Sequence, residues 1–451
     1  MTPIQLIKNA AGEEAAHRRH IVMLCALTAG IGFLFFLADH SIPTEQSESR
    51  LDVLETGNRM RRIGVLGFGM LGTVLFLART KYRFSLGNPL AVATAAYLGL
   101  CLLSMVWADS SEIASRRILV SLLCFIGAAG ICRHFSPRDF CPAVLVISTV
   151  YLGIGLLAEL AGVAPAFSDD RFRFRGTLHP NSQGLNCVFM CLSTACLYPR
   201  AVRWRPILAV VFMTGLFFLL LTGSRTSLYS LLFAAAGFWW LSSNWYQRGL
   251  AISASAFAAT FLVLLSVVVG SEAGLISDVA NLGRDGETAT TMTGRTPVWN
   301  ELLKMVAGSP YLGYGYQSFW NLNRYADLEV RLGWVPTHAH SAYLETTLGI
   351  GFVGVSLFLL AIIMGALRAS ERFKETRDPG YAFGLTLMLV AMVHSALEST
   401  FAAPTSYFST VLFCSWFMLA FQHSELNELS SSRRQWRVVQ RVQPDVSYPA
   451  A

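Results

Sequence analysis

PILAVVFMTGLFFLLLTGSRTSLYSLLFAAAGFWWL, residues 206–241, carries a single charge, Arg225, between two apolar runs. A bilayer core about 30 Å thick is crossed by about 20 apolar residues in a helix, the form in which a segment satisfies its own backbone. Each run approaches that length, so the stretch reads as two spans, 206–222 and 226–241. The turn between them, LTGSRTS, has Gly223 and Ser224 to allow a tight reversal. Comparable runs lie on either side, at 21–39, 63–78, 89–107, 118–132, 141–163, 183–199, 250–270, 341–367, 380–400 and 406–421. A chain of 451 residues that is 53% hydrophobic and 14% charged, with mean hydropathy +0.48, exceeds what a soluble domain can bury. The expected fold class is an all-α integral membrane protein with about 12 transmembrane helices.

The first run follows a polar arm with Lys8, Arg18 and Arg19, and no small-residue cleavage pattern comes after it, so it reads as an uncleaved first helix. The nine cysteines fall in or beside spans, without zinc-type spacing or a disulfide framework. Basic residues cluster in alternate short connections: Arg79, Lys81 and Arg83; Arg200, Arg203 and Arg205; Arg368, Arg372, Lys374 and Arg377. The C-terminal tail adds Arg433, Arg434, Arg437 and Arg441. By the positive-inside rule both termini are expected in the cytoplasm. The layout is then a cytoplasmic arm (1–20), spans one to nine (21–270), a large outer loop (271–340), spans ten to twelve (341–421) and a cytoplasmic tail (422–451). The net charge of +7 fits contact with anionic membrane lipids, and no nucleic-acid partner is expected.

The outer loop contains TGRTPVWNELLKMVAGSP, residues 293–310, which predicts a short amphipathic helix. Thr296 can cap it, Pro297 suits its first turn, and Val298, Leu302, Met305 and Val306 share a face before Gly308, Ser309 and Pro310 end it. Arg295 would lie just before this helix, where free N–H groups and the dipole favour an anion. In SDDRFRFRGTLHPNSQG, residues 168–184, Arg171, Arg173 and Arg175 alternate with Phe172 and Phe174, so an extended chain sets the arginines on one face. Arg225 alone could be a snorkelling anchor. Together with His338 and His340, however, Arg175, Arg225 and Arg295 converge on one outer cavity. Guanidinium forks match phosphate oxygens, and imidazole is a base near neutral pH, a combination suited to attack of a hydroxyl on a lipid diphosphate-linked carbon.

These residues resemble the O-antigen ligase family, within a larger group that includes O-antigen polymerases and protein O-oligosaccharyltransferases. His340 and Ser341, nine further residues, then Gly351, Phe352, Val353 and Gly354 look like the family's His-(Asn/Ser)-x9-Gly-x-x-Gly signature. Arg175-Gly176 with Asn181, Ser224-Arg225, Gly294-Arg295 with Trp299, and Pro310 with Gly313, Gly315 and Phe319 are similar to its other landmarks. Ser341 stands where Asn is commoner. The resemblance implies a glycosyltransferase of helical-membrane (GT-C-like) architecture in the bacterial inner membrane, with its active site facing the periplasm. It would move O-antigen from undecaprenyl diphosphate to a sugar hydroxyl of lipid A-core, with inversion and without cofactor, metal or nucleotide.

On this reading His340 is the general base, with His338 supporting it or binding the acceptor, and Arg175, Arg225 and Arg295 hold the donor diphosphate. Arg173, His179, Asn181, Glu345, His394 and Glu398 are further candidates to line the cavity. A metal held by the two histidines lacks a convincing third ligand, although His179 and Glu345 could be proposed. His394 and Glu398 also fit hydrogen bonds between helices, or a proton relay in a transporter. Gly349, Gly351 and Gly354 are expected to let span ten pack closely on a neighbouring span. Two alternatives stay open: an O-antigen polymerase using the same donor, and a twelve-span secondary transporter, which the outer placement of the polar residues and the lack of an internal repeat disfavour.

Overall fold

The computed structural model describes residues 3–40, 59–78, 83–84, 86–163, 173–243, 295–402 and 404–423. Its helices are α1 (Pro3–Asp39), α2 (Arg59–Leu77), α3 (Pro89–Leu103), α4 (Ser111–Cys132), α5 (Pro137–Leu160), α6 (Pro180–Leu197), α7 (Arg205–Leu221) and α8 (Arg225–Ser242). After them come α9 (Arg295–Gly308), α10 (Leu322–Leu332), α11 (Ala342–Thr376), α12 (Pro379–Leu397) and α13 (Tyr407–Phe421). A two-residue antiparallel pairing of Arg83–Phe84 with Gln422–His423 is the strand structure of the described residues. The protein is thus an all-α, multi-pass membrane protein, as the apolar runs predict.

Among the described residues, eight helices are long and apolar enough to cross a bilayer. The expected run at 183–199 forms α6, but its Asn186, Gln183, Ser193 and Thr194 are buried in the bundle, so α6 is a polar-lined interior helix. The run at 226–241 forms α8, and that at 406–421 forms the shorter apolar α13. The expected span at 250–270, the outer-loop portion 271–294 and the tail from 424 onward lie outside the described residues, as do Arg171 and Phe172.

The core centres on α6, α12 and α13, where Phe189, Phe383, Leu412 and Trp416 are buried. At the periphery, α7 keeps Ile207, Val210, Met213, Phe217 and Leu220 exposed, an apolar face that suits lipid tails. Proline at the first turn opens α3, α5, α6, α7 and α12, where a missing N–H costs nothing because that group has no partner within the helix.

A second, smaller cluster caps the end of the bundle that carries residues 295–340. Val298 and Leu302 of α9, Leu328 of α10, Phe319, Ala339 and Leu348 pack together there. The predicted helix in this region exists, with Val298, Leu302, Met305 and Val306 buried as its spacing requires, though Arg295 and Thr296 lie inside it rather than before it. α10 follows, capped by Asn321 and stopped by Gly333 in the left-handed conformation at φ 75°.

The glycine signature has a partner other than the one expected. α11 kinks at Ile350 and Gly351, and the Phe352 N–H freed there donates to Pro310 O at 2.7 Å. Gly351 has φ 67°, and a Cβ on it would overlap the Tyr311 carbonyl. It therefore admits the 310–315 loop rather than a neighbouring span, a distinction invisible to local spacing. Tyr314 N donates to Leu348 O at 2.8 Å on the facing turn.

Candidate active site

The loop before α6 is fixed by its backbone. Glu159, near the end of α5, accepts from Arg175 N at 3.0 Å and Gly176 N at 2.5 Å. His40, directly after α1, meets Thr177 Oγ1 at 2.6 Å. Gly176 adopts φ 57°, a conformation cheap for glycine, and a Cβ there would press on Gly155. These contacts aim the 173–179 segment at the bundle end while leaving its arginine side chains to other tasks.

Two helix N-termini meet the same region. Arg225 is the first residue of α8, so free backbone N–H groups that favour an anion lie at that turn, and Arg295 is in the first described turn of α9. The α7–α8 turn is joined to α6 by Ser227 Oγ donating to Asn181 O at 3.3 Å. Gly223 of that turn lies against the Arg173 side chain.

A hydrogen-bonded chain then crosses the site. Arg173 Nη2 donates to Asn181 Oδ1 at 3.0 Å, and Asn181 Nδ2 donates to Glu398 Oε1 at 2.7 Å. Arg295 Nη2 donates to the same carboxylate oxygen at 2.6 Å, with both side chains largely shielded from solvent. Burial raises the Glu398 carboxyl above its ordinary range, and the Arg295 and Asn181 contacts oppose that rise. Among the described residues, the Arg175 and Arg225 guanidiniums, both half-buried, make no hydrogen bond or ion pair.

The histidine turn is clamped from both sides. Ala339 N donates to Glu345 Oε1 at 2.6 Å, and Ala339 O accepts from Trp299 Nε1 at 2.7 Å. Trp320 Nε1 donates to the other Glu345 oxygen at 2.7 Å. Ser341 caps α11 by accepting from Leu344 N at 3.3 Å, the role that Asn or Ser serves at a helix start, so the Ser at this position retains the function. His340 is held at φ 52°, a left-handed backbone rarely adopted by a residue with a side chain and costing about 1–3 kcal/mol.

The His338 and His340 rings meet edge to face, their centroids 4.0 Å apart, and neither buried Nδ1 has a hydrogen-bond partner. Burial, then the neighbouring His338, Arg295 and His179, push His340 down to about 3. His338 is lowered too, by burial and by Arg295. Both rings are therefore neutral near pH 7, the state in which an imidazole can accept a proton.

Of the remaining candidates, His179 is exposed and caps α6, accepting from Asn181 N at 3.3 Å. Glu345 is a half-buried support for the turn, with its oxygens engaged by Trp320, Ala339 and Ser399. His394 is 1% exposed inside α12, packed on the Phe401 ring, with neither ring nitrogen hydrogen-bonded. Arg173, Asn181, Glu398 and Arg295 are thus in direct contact, the histidines sit within electrostatic reach of Arg295, and Arg175 is within electrostatic reach of His179, whereas Arg225 opens α8 without a contact that joins it to the histidines. Glu159, His40 and Ser399 were missed by the sequence reading. A carboxylate inside the expected span 141–163 was the one available signal, for Glu159.

Such a bundle, with several arginines and histidines in one region, is that of a multi-pass membrane protein. Residues 208–359, which include Arg225, Arg295, His338 and His340, match the family described as O-antigen ligase. The chain is also similar to the exopolysaccharide production protein ExoQ of Rhizobium meliloti (strain 1021), 28% identical over 108 residues. That match spans 22% of this chain and 24% of the relative.

Proposed function

We propose that the protein transfers O-antigen from undecaprenyl diphosphate to a sugar hydroxyl of lipid A-core, completing lipopolysaccharide. The observation that carries this reading is the pairing of the His338–His340 turn, clamped through Ala339 and Ser341, with a group of arginines of which Arg175 and Arg225 make no hydrogen bond or ion pair among the described residues. Arg175, Arg225 and Arg295 bind the donor diphosphate. The acceptor hydroxyl loses its proton to His340 as its oxygen attacks the anomeric carbon. The bond to the diphosphate oxygen breaks on the opposite face, inverting that carbon, and the arginines stabilise the charge that develops on the leaving group. His338, whose ring meets that of His340, supports the base or binds the acceptor. The site faces the periplasm, both termini lie in the cytoplasm, the membrane is the inner one, and the layout is that of the segments given above, with residues 271–340 forming the periplasmic element. The domain match favours a glycosyltransferase over the transporter alternative.

A polymerase reading is favoured by one observation, the similarity to a protein named for exopolysaccharide production. Reconstitution with undecaprenyl diphosphate-linked glycan and lipid A-core separates the two. Glycan joined to lipid A-core supports ligation, whereas lipid-linked glycan of increasing length supports polymerisation.

A further inference from the structure

The last residues of α12 and those directly after it hold both halves of the site. On the arginine side, Leu397 O accepts from Arg295 Nη1 at 2.5 Å, and Glu398 Oε1 accepts from Arg295 Nη2 and Asn181 Nδ2. The guanidinium therefore rests on the C-terminal end of a helix, where unpaired carbonyls and the dipole favour a cation, as well as on a carboxylate. Its remaining N–H groups are left for a ligand. On the histidine side, the Glu398 carbonyl accepts from Ala342 N at 3.0 Å. Ser399 Oγ accepts from Ser341 N at 3.1 Å and reaches Glu345 Oε1 at 3.4 Å, while Ser341 Oγ donates to Ser395 O at 3.2 Å.

Leu397, Glu398 and Ser399 lie beyond the segment matched to the family, whereas Arg295 and Ser341 lie inside it. We propose that Leu397–Ser399 is a strut that sets the distance between the Arg295 guanidinium and the His340 imidazole, with Glu398 as the positioning residue for the arginine and Ser399 for the histidine turn. This rests on the reading that Arg295 meets the donor and His340 takes the proton. Two adjacent residues reach both sides: Leu397 O and the Glu398 carboxylate meet the Arg295 guanidinium, and the Glu398 carbonyl meets the first turn of α11. A displacement of the α12 end moves both groups together, and a cut on one face releases only one of them. Glu398 also neutralises Arg295 in the empty site, so the buried guanidinium is not left unpaired before a diphosphate arrives.

The two faces give different kinetic signatures. The full chain in lipid nanodiscs is tested for affinity toward undecaprenyl diphosphate and for turnover in glycan transfer. Glu398→Ala is expected to weaken undecaprenyl diphosphate binding about tenfold, roughly 1.4 kcal/mol. Glu398→Gln, which keeps an oxygen for Arg295 and Asn181, restores most of that affinity. Ser399→Ala leaves the affinity at the wild-type value and lowers turnover about tenfold, the size expected when one bond orienting a reacting group is lost. Should Glu398→Ala not fold, Glu398→Asp, one methylene short of Arg295, is expected to weaken binding in the same direction. Wild-type affinity in the Glu398 variants, or wild-type turnover in Ser399→Ala, overturns the strut alone if Arg295→Ala and His340→Ala are impaired. Wild-type binding and turnover in Arg295→Ala and His340→Ala overturn the functional reading, and the strut with it.

Discussion

The histidine turn and the arginine pair Arg175 and Arg225 are opposite solutions to building a site. Around the histidines, nearly every nearby polar group is engaged: Ala339 through both backbone atoms, Ser341 through its N–H and hydroxyl, Glu345 through both oxygens. The arginine pair has its backbone fixed by Glu159 and by the α7–α8 turn, yet the guanidiniums make no hydrogen bond or ion pair among the described residues. A base gains from being held in one pose before substrate arrives, since misplacement by an ångström is costly in rate. A diphosphate ligand instead needs donors not already taken by carboxylates. Arg295 is intermediate, held by Glu398 and Leu397 and largely shielded from solvent.

The sharpest way to break this comparison is to remove the base. His340→Ala is expected to lower transfer by about a hundredfold or more, the scale of general base catalysis, while undecaprenyl diphosphate still binds; a transfer assay with purified protein checks both. Next in size, Arg225→Lys should weaken donor binding about tenfold, because an ammonium cannot reproduce the bidentate fork. Equal affinity for undecaprenyl diphosphate in the two proteins would instead identify Arg225 as an anchor. Loosening the clamp by Trp299→Phe removes one donor to Ala339 O and should cost about 0.5–1.5 kcal/mol of stability, seen as a lower melting midpoint in detergent, together with slower transfer.

The pH dependence follows from the depressed histidines. His340 must be neutral to act as base, and its position near 3 sets the acid limb of the transfer rate well below the ordinary histidine value of 6.5. A rate that halves near pH 6.5 would contradict this. For stability the sign is fixed by linkage. Above pH 6.5 the ring is neutral in folded and unfolded chains alike, and as pH falls from there toward 3 the unfolded chain gains a proton that the fold refuses. The melting midpoint should therefore decline over that window, and less so in His340→Gln. The smallest effect belongs to the exposed Lys304–Glu301 pair on α9, where Lys304→Ala should leave the midpoint unchanged.

The apolar runs made most of the bundle legible, because lipid imposes length and composition on each span independently. The face Val298, Leu302, Met305 and Val306 was equally readable, being set by helical spacing. The arginines and histidines of the site were legible as residue types of matching chemistry on one side. What joins them was not. Ser399 reaches Ser341 and Glu345 across more than fifty residues, and Glu398 reaches Asn181 over a longer interval. Such pairings follow from packing of whole helices, which local periodicity does not record. The α11 kink was hidden for the same reason: its glycine answers to the 310–315 loop, not to its own helix.

The measurement closest to the central claim is transfer by purified protein in nanodiscs, with undecaprenyl diphosphate-linked glycan and lipid A-core, comparing the wild type with His340→Ala. The account predicts glycan-bearing lipid A-core from the wild type and almost none from the variant, with undecaprenyl diphosphate bound equally by both. Transfer by His340→Ala at the wild-type rate would contradict it.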